Sequence, residues 1–307
     1  MPPRRRSDPG LGSGSPRYPG TFLLALREAA AGMNWQVGRW VGDLVVCVDG
    51  AGQEHLVGLE NLYRRARREP RETWPELIAD FLSTVVTAHQ DPGLPTNLAE
   101  VTDRLLVRVG HPLQKMPEAI QIFSQALPAT DLVVNLVIDY PNRMCYVPAH
   151  LVADSGQPES HWVEVGLANL QARTPADCFQ VIHEESGLRL CSVADAYDSS
   201  RALLLDKLLP EFRAHGYLVV LPGRDELLVL PVTARVFPHI HLLKVLAEKS
   251  HKSVPYPISD QVYWIHEGAW HHFAIDLRPQ EAVLEPPPEF VAMMDRLGPL
   301  KKQDPGS

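Results

Sequence analysis

Apolar and polar residues alternate along this chain in short runs that switch between the period of a strand and the period of a helix. After Pro19-Gly20, the residues Phe22, Leu23, Leu26 and Ala30 recur at helical spacing, with Thr21 as candidate N-cap. Residues 35–50, WQVGRWVGDLVVCVDG, read as two strands joined tightly at Gly42-Asp43, and Gly38 predicts twist or a bulge. Leu59, Leu62, Tyr63 and Ala66 then mark one face of a helix, and Arg64, Arg65, Arg67 and Arg68 lie on the solvated face. Thr73 to Glu76 spells T-x-x-E, a capping box, ahead of the stripe Trp74, Leu77, Ile78, Phe81, Leu82 and Val85. Residues 104–109 predict a strand and 111–123 a short helix, with a domain boundary near residue 110.

From residue 131 the pattern becomes regular. Runs at 131–139 and 144–148 flank a turn at Tyr140-Pro141-Asn142-Arg143 and predict a hairpin. A helix carrying Val163, Leu167 and Leu170 follows, then a second hairpin turning at Glu185-Ser186-Gly187. The next helix runs from Asp198 to His215 and stops at Gly216, a left-handed terminator. A third hairpin turns at Gly223-Arg224-Asp225, a helix spans about 238–250, and a fourth hairpin turns at Glu267-Gly268. The last three helices start about 40 residues apart. The hexapeptide VGLENL at 57–62 reappears as VGLANL at 165–170, which predicts the same joint in two related β-β-α units. Short hairpins force antiparallel neighbours. The expected fold is therefore α+β: repeated β-hairpin–helix units forming antiparallel sheets with helices packed on one face. The expected division is a basic disordered tail at 1–17, α+β domains at 18–110 and 111–279, and a Pro-rich disordered tail at 280–307.

At 307 residues, with 45% hydrophobic and 21% charged residues, the chain is of globular composition. Residues 1–17 hold Arg4, Arg5, Arg6 and Arg17 against Asp8, a net +3, so the remainder of the −8 chain carries −11. An acidic body argues against nucleic acid, whose affinity comes from clustered Lys and Arg. Cys47, Cys145, Cys178 and Cys191 form no C-x-x-C pair and are expected to be reduced. The N-terminal stretch has no apolar signal core, and no apolar run reaches the roughly 18 residues of a membrane helix. A cytoplasmic location is the expectation.

Three stretches, Asp195-Ala196-Tyr197-Asp198-Ser199-Ser200-Arg201, Pro222-Gly223-Arg224-Asp225-Glu226-Leu227-Leu228 and Val254-Pro255-Tyr256-Pro257-Ile258-Ser259, resemble motifs of the YtpQ-like family of bacterial proteins. The first is similar to that family's D-G-Y-D-A-S-R, with Ala196 in place of its glycine, and the second to its P-x-x-D-x-L. The stretch near Asn61 resembles the family's N-terminal part. The function of that family is not established, so the resemblance implies no reaction and no catalytic residues.

The chemistry-bearing positions are few. Asp195, Tyr197, Asp198 and Arg201 sit where a strand hands over to a helix, a junction whose free N–H groups can hold an anion. Asp198 is placed to cap the helix, and Arg201 to pair with Asp198, Asp195 or a ligand. Asp225 in the next hairpin can join them, or serve only its turn. His239, His241, His266, His271 and His272 hint at metal, but HEGAWHH is not H-E-x-x-H and no ligand set has metal spacing. Tyr263, Trp264 and Trp270 are core candidates or an aromatic docking patch. No nucleophile elbow, P-loop or G-x-G-x-x-G is present. No metal or cofactor is expected. Two readings follow: a non-catalytic protein-interaction module, an adaptor or chaperone-like scaffold with a protein partner, or a ligand binder or enzyme with an anion pocket at Asp195–Arg201.

Overall fold

The computed structural model describes residues 18–41, 44–88, 93–112, 121–141, 143–278 and 282–297. The chain divides into two units at Asp91/Pro92.

In the first unit, α1 (Gly20–Gly32) precedes a three-stranded antiparallel sheet of β1 (Gln36–Val41), β2 (Leu44–Val48) and β3 (Glu54–Gly58). α2 (Glu60–Ala66) and α3 (Trp74–Ala88) follow. Phe22, Leu26, Val45, Leu59, Leu62, Trp74, Ile78 and Leu82 close one core. The register of β1 against β2 shifts between Val37 and Trp40, and a Cβ on Gly38 would lie 3.0 Å from Val46 O, so the glycine marks a bulge. The Gly42-Asp43 connection lies outside the described residues. β3 has no counterpart in the sequence reading. Neither predicted cap forms. α1 begins at Gly20 behind Pro19 without a side-chain cap, and the Thr73 hydroxyl donates to Pro70 O at 2.8 Å, inside a 3₁₀ turn (Arg71–Thr73). Arg64 pairs with Glu60, and Arg65, Arg67 and Arg68 are exposed.

The second unit contains β4 (Leu105–Gly110), β5 (Ser124–Ala126), β6 (Val133–Asp139), β7 (Met144–Tyr146), α4 (Ala149–Ala153) and α5 (Glu159–Arg173). It continues with β8 (Phe179–His183), β9 (Leu188–Cys191), α6 (Leu205–Leu208), β10 (Tyr217–Gly223), β11 (Glu226–Pro231) and α7 (Phe237–Ser253). β12 (Val262–His266), β13 (Ala269–Leu277), β14 (Ala282–Glu285) and α8 (Pro288–Leu297) complete it. The fold is α+β and the described sheets are antiparallel. Three of the four predicted hairpins stand side by side in a seven-stranded sheet ordered β14-β13-β12-β10-β11-β9-β8. On one face, Leu218, Val220, Leu228, Leu230 and Trp264 pack with Ile240, Leu243 and Ala247 of α7 and with Phe290 and Met293 of α8. On the other, Tyr217, Val219, Leu221, Val229 and Tyr263 share a core with β4, β6, α5 and the 199–209 segment. Because both faces are covered, β10 is buried at every position, and its sequence shows an unbroken apolar run in place of alternation.

Five expectations change. The boundary lies at Asp91/Pro92, not near residue 110, because β4 pairs along its whole length with β6. The first predicted hairpin, β6–β7, belongs to a separate sheet with β4 and β5, so equal spacing along the chain is not a structural repeat. The two hexapeptides are not one joint: VGLENL runs from the end of β3 into α2, whereas VGLANL lies wholly inside α5. There, Gly166 packs against Val107, and Asn169 donates to the Thr102 and Leu105 carbonyls; Asn61 is exposed. The predicted helix over 198–215 is instead 3₁₀ turns at 199–204 and 210–212 around α6, ending at Gly216 in the left-handed region. Residues 282–297 are folded as β14 and α8, correcting the disordered 280–307 tail; Pro288 takes the first turn of α8, where a missing N–H costs nothing. Residues 1–17 and 113–120 lie outside the described residues, so the basic tail and most of the 111–123 helix do too.

Candidate functional site

The three stretches that carry the family resemblance meet at one corner of the second unit. The loop leaving β9 turns through Ala194 (φ 63°) and Ala196 (φ 74°), left-handed conformations that cost a side chain about 1–2 kcal/mol each. This brings Ala196 N to Asp225 Oδ1 (2.9 Å), Ser192 Oγ to Asp225 O (3.2 Å) and Ser199 N to Arg224 O (3.2 Å). The third stretch closes on the other side, with Arg224 N donating to Tyr256 O and Ile258 N to Pro222 O, both at 3.0 Å. A Cβ on Gly223 would lie 2.9 Å from Tyr256 O, so the close approach requires glycine. The Arg224 guanidinium pairs with Asp225 and lies over the Tyr256 ring at 3.3 Å.

At the centre is Arg201, with no exposed surface. It makes a two-pronged pair with Asp195 (Nη1–Oδ1 2.9 Å, Nη2–Oδ2 2.6 Å). Nη1 also reaches Asp198 Oδ1 (2.8 Å), and Nε reaches Thr174 Oγ1 (3.1 Å). Asp198, equally buried, does not cap the following turn; it accepts from Val193 N (3.0 Å), Ala194 N (2.8 Å) and the Cys191 thiol (3.2 Å). Tyr197 N goes to Asp195 Oδ1, and Tyr197 Oη donates to Asp139 Oδ1, whose partner oxygen holds Arg173.

All five predicted site residues thus come together, but as a closed network. The N–H groups expected to hold an anion are taken by the chain's own carboxylates, and one guanidinium faces the buried Asp198 and the partly buried Asp195. Such a centre does not attract a further anion. Burial opposes ionisation of Asp195, yet the Arg201 hydrogen bonds and charge outweigh it and hold its pKa below the usual value. Burial likewise works against the Arg201 charge, and Asp195 and Asp198 more than restore it. Burial, then Asp139, raises the Tyr197 phenol, which stays protonated.

Two neighbouring serines differ sharply. Ser200 Oγ accepts from the buried Val109 N (3.0 Å), whereas the buried Ser199 Oγ has no partner among the described residues. Ser200→Ala is expected to cost about 1–3 kcal/mol by orphaning that amide, and Ser199→Ala to be neutral or stabilising by up to about 1 kcal/mol. Urea midpoints of the two variants check the contrast.

Elsewhere, Trp264 lies between His266 and His271, with centroids 4.8 and 5.0 Å away, and Tyr263, Trp264 and Trp270 are core residues. No group of three metal-ligating side chains occurs among the described residues. A cavity of about 270 Å³ lies between Leu127, Ala202, Leu205, Ile265 and Trp270, with Asp206 at its wall. No helix among the described residues is long and apolar enough to cross a membrane.

The sequence reading missed Thr174, Asp139 and Arg173, which approach from distant segments, and it treated Cys178 and Cys191 only as core thiols. In the structure Phe179 lies opposite Cys191, with the register shifting nearer the turn. Comparison with protein-family models, curated proteins and solved structures gave no match.

Proposed function

We propose that this chain is a non-catalytic protein-interaction module, an adaptor or scaffold of the YtpQ-like bacterial type working in a reducing cytoplasm, and that its partner docks on β8. The carrying observation is the edge of the seven-stranded sheet. Among the described residues β8 ends the strand order beside β9, and Val181 and Ile182, where the register against β9 shifts, are 40% and 44% exposed. Edge strands are ordinarily guarded by Lys, Pro, a bulge or a covering loop; β8 has the register shift between Val181 and His183 but neither Lys nor Pro, and an apolar edge of this kind invites an added strand. Exposed Asp177, Glu184 and Glu185 flank it, favouring a partner segment with basic ends. The four free thiols accord with a reducing compartment.

Photo-crosslinking tests this reading. A benzophenone amino acid at Val181 or Ile182 should give one discrete heterologous adduct in cells, absent when it stands at Val245, exposed on α7. Equal labelling from Val245, or no adduct from β8, would sink the proposal. Adducts only with a second copy of the chain would replace the partner by self-association.

A further inference from the structure

The cavity of about 270 Å³ in the second unit is walled from three directions. Ile265 and Trp270, paired across the β12–β13 hairpin, form one wall. Leu205 and Asp206, at the start of α6, form the second. The third is the turn between β5 and β6, with Leu127 and Pro128, closed by the Leu127 N–H donating to Leu132 O (3.0 Å). Leu127, Leu205, Ile265 and Trp270 are buried, whereas Pro128, Gly268 and Ala269 are exposed. The mouth therefore lies between the β5–β6 and β12–β13 turns.

Asp206 is the one charged side chain of this lining among the described residues. Its ion-pair partner is Arg213, whose Nε stands 3.4 Å from Oδ2 and whose side chain is 66% exposed. A pair so exposed contributes at most about 1 kcal/mol. It yields to a cation whose body is held by the apolar walls.

We propose that this cavity is a binding site for a small organic cation, an arylalkylamine or an apolar ammonium compound of similar size. Volume sets the upper bound. A cavity of about 150 Å³ holds one benzene ring, so this one admits a ring with a short arm, about ten non-hydrogen atoms. Pockets for larger ligands run to about 1,000 Å³, so a nucleotide is too large for this one. Charge sets the sign. The ring takes the place beside Leu127, Ile265 and Trp270, and the ammonium donates to the Asp206 carboxylate in a charge-assisted hydrogen bond while Arg213 turns to solvent. Carboxylates and phosphates are repelled by the same acid. No residue of the lining belongs to β8, so this site and the docking edge stand or fall separately.

Isothermal titration calorimetry of the full chain with phenethylamine, phenethyl alcohol and phenylacetate tests the proposal, because the three share a ring and differ in charge. Phenethylamine should bind about 10- to 100-fold tighter than phenethyl alcohol, the usual worth of a hydrogen bond to a charged group, and phenylacetate should not bind. Asp206→Asn should bring the amine down to the affinity of the alcohol. Ala269→Phe, which fills the mouth from an exposed position, should weaken both ligands. Equal affinity for the amine and the alcohol, no amine binding at millimolar concentration, or amine binding untouched by both substitutions overturns the proposal. The wild-type comparison of the three probes decides this even where a variant fails to fold.

Discussion

Replacing Arg201 by alanine is expected to destabilise the protein by about 3–5 kcal/mol, the usual result of removing one member of a buried ion pair. The charge it leaves behind sets the size of the effect. Asp198 has no exposed surface, and Arg201 is one of four donors on its carboxylate. Asp195 loses both prongs of its pair, and Thr174 Oγ1 loses its donor. Lysine should rescue little, since a single ammonium cannot reproduce the fork across two acids and a hydroxyl. The pH dependence separates this from simple loss of packing. In the wild type the Asp195 pKa is depressed, so its contribution is complete above its unfolded value of about 4 and is lost as pH falls through the lower folded value. In Arg201→Ala only the Tyr197 amide and the Arg173 charge still oppose burial at Asp195, so its pKa rises relative to the wild type and the variant regains stability as pH falls through that higher value. The wild-type and variant urea midpoints should therefore converge towards pH 4. A gap that stays constant with pH would show that the loss is one of volume and not of charge.

The hairpins were legible because each sets short apolar runs on either side of a turn that only certain residues make: Glu267 and Gly268, for example, both occupy positive φ. Which hairpins share a sheet was not legible. β6 and β10 carry similar apolar runs, yet one pairs with β4 and the other with β12, and such pairing depends on segments far away in sequence. The segment after Asp198 failed as a helix for a related reason. Ala202, Leu204, Leu205 and Leu209 are all buried, so their spacing does not mark one face, and Ser200 is engaged by Val109 N rather than by its own turn.

The site was legible as a list and not as a state. The sequence names Asp195, Asp198 and Arg201, but whether the arginine meets solvent depends on Thr174 and on amides from Val193 and Ala194. The D-A-Y-D-S-S-R stretch departs from the D-G-Y-D-A-S-R it resembles at Ala196 and Ser199. These are the residue with φ 74° and the buried hydroxyl without a partner among the described residues. A glycine at 196 would adopt this backbone with less strain, and an alanine at 199 would bury no unpaired hydroxyl.

Gly216→Ala is expected to be the most damaging glycine substitution in the second unit. Gly216 has φ 75°, which by itself costs an alanine about 1–2 kcal/mol. In addition, a Cβ there would stand 2.1 Å from Ile265 O and 3.1 Å from His266 Cα. The obstacle is backbone, held in the β10–β12 ladder where Tyr217 faces Ile265, so no side chain can swing aside. Nor can Gly216 retreat, since its N–H donates to Phe212 O and its carbonyl accepts from Val232 N, each at 3.0 Å. Relief means parting two central strands, and overpacking of this kind adds about 1–3 kcal/mol. Gly268→Ala supplies the control: its φ is 79° and nothing lies within 4 Å of the added carbon, so it should show the conformational cost alone. Urea unfolding of the full chain should place Gly216→Ala about 1–3 kcal/mol below Gly268→Ala. Equal losses would mean that β10 and β12 yield at this point, and that the junction between the 199–212 turns and the sheet is softer than its hydrogen bonds imply.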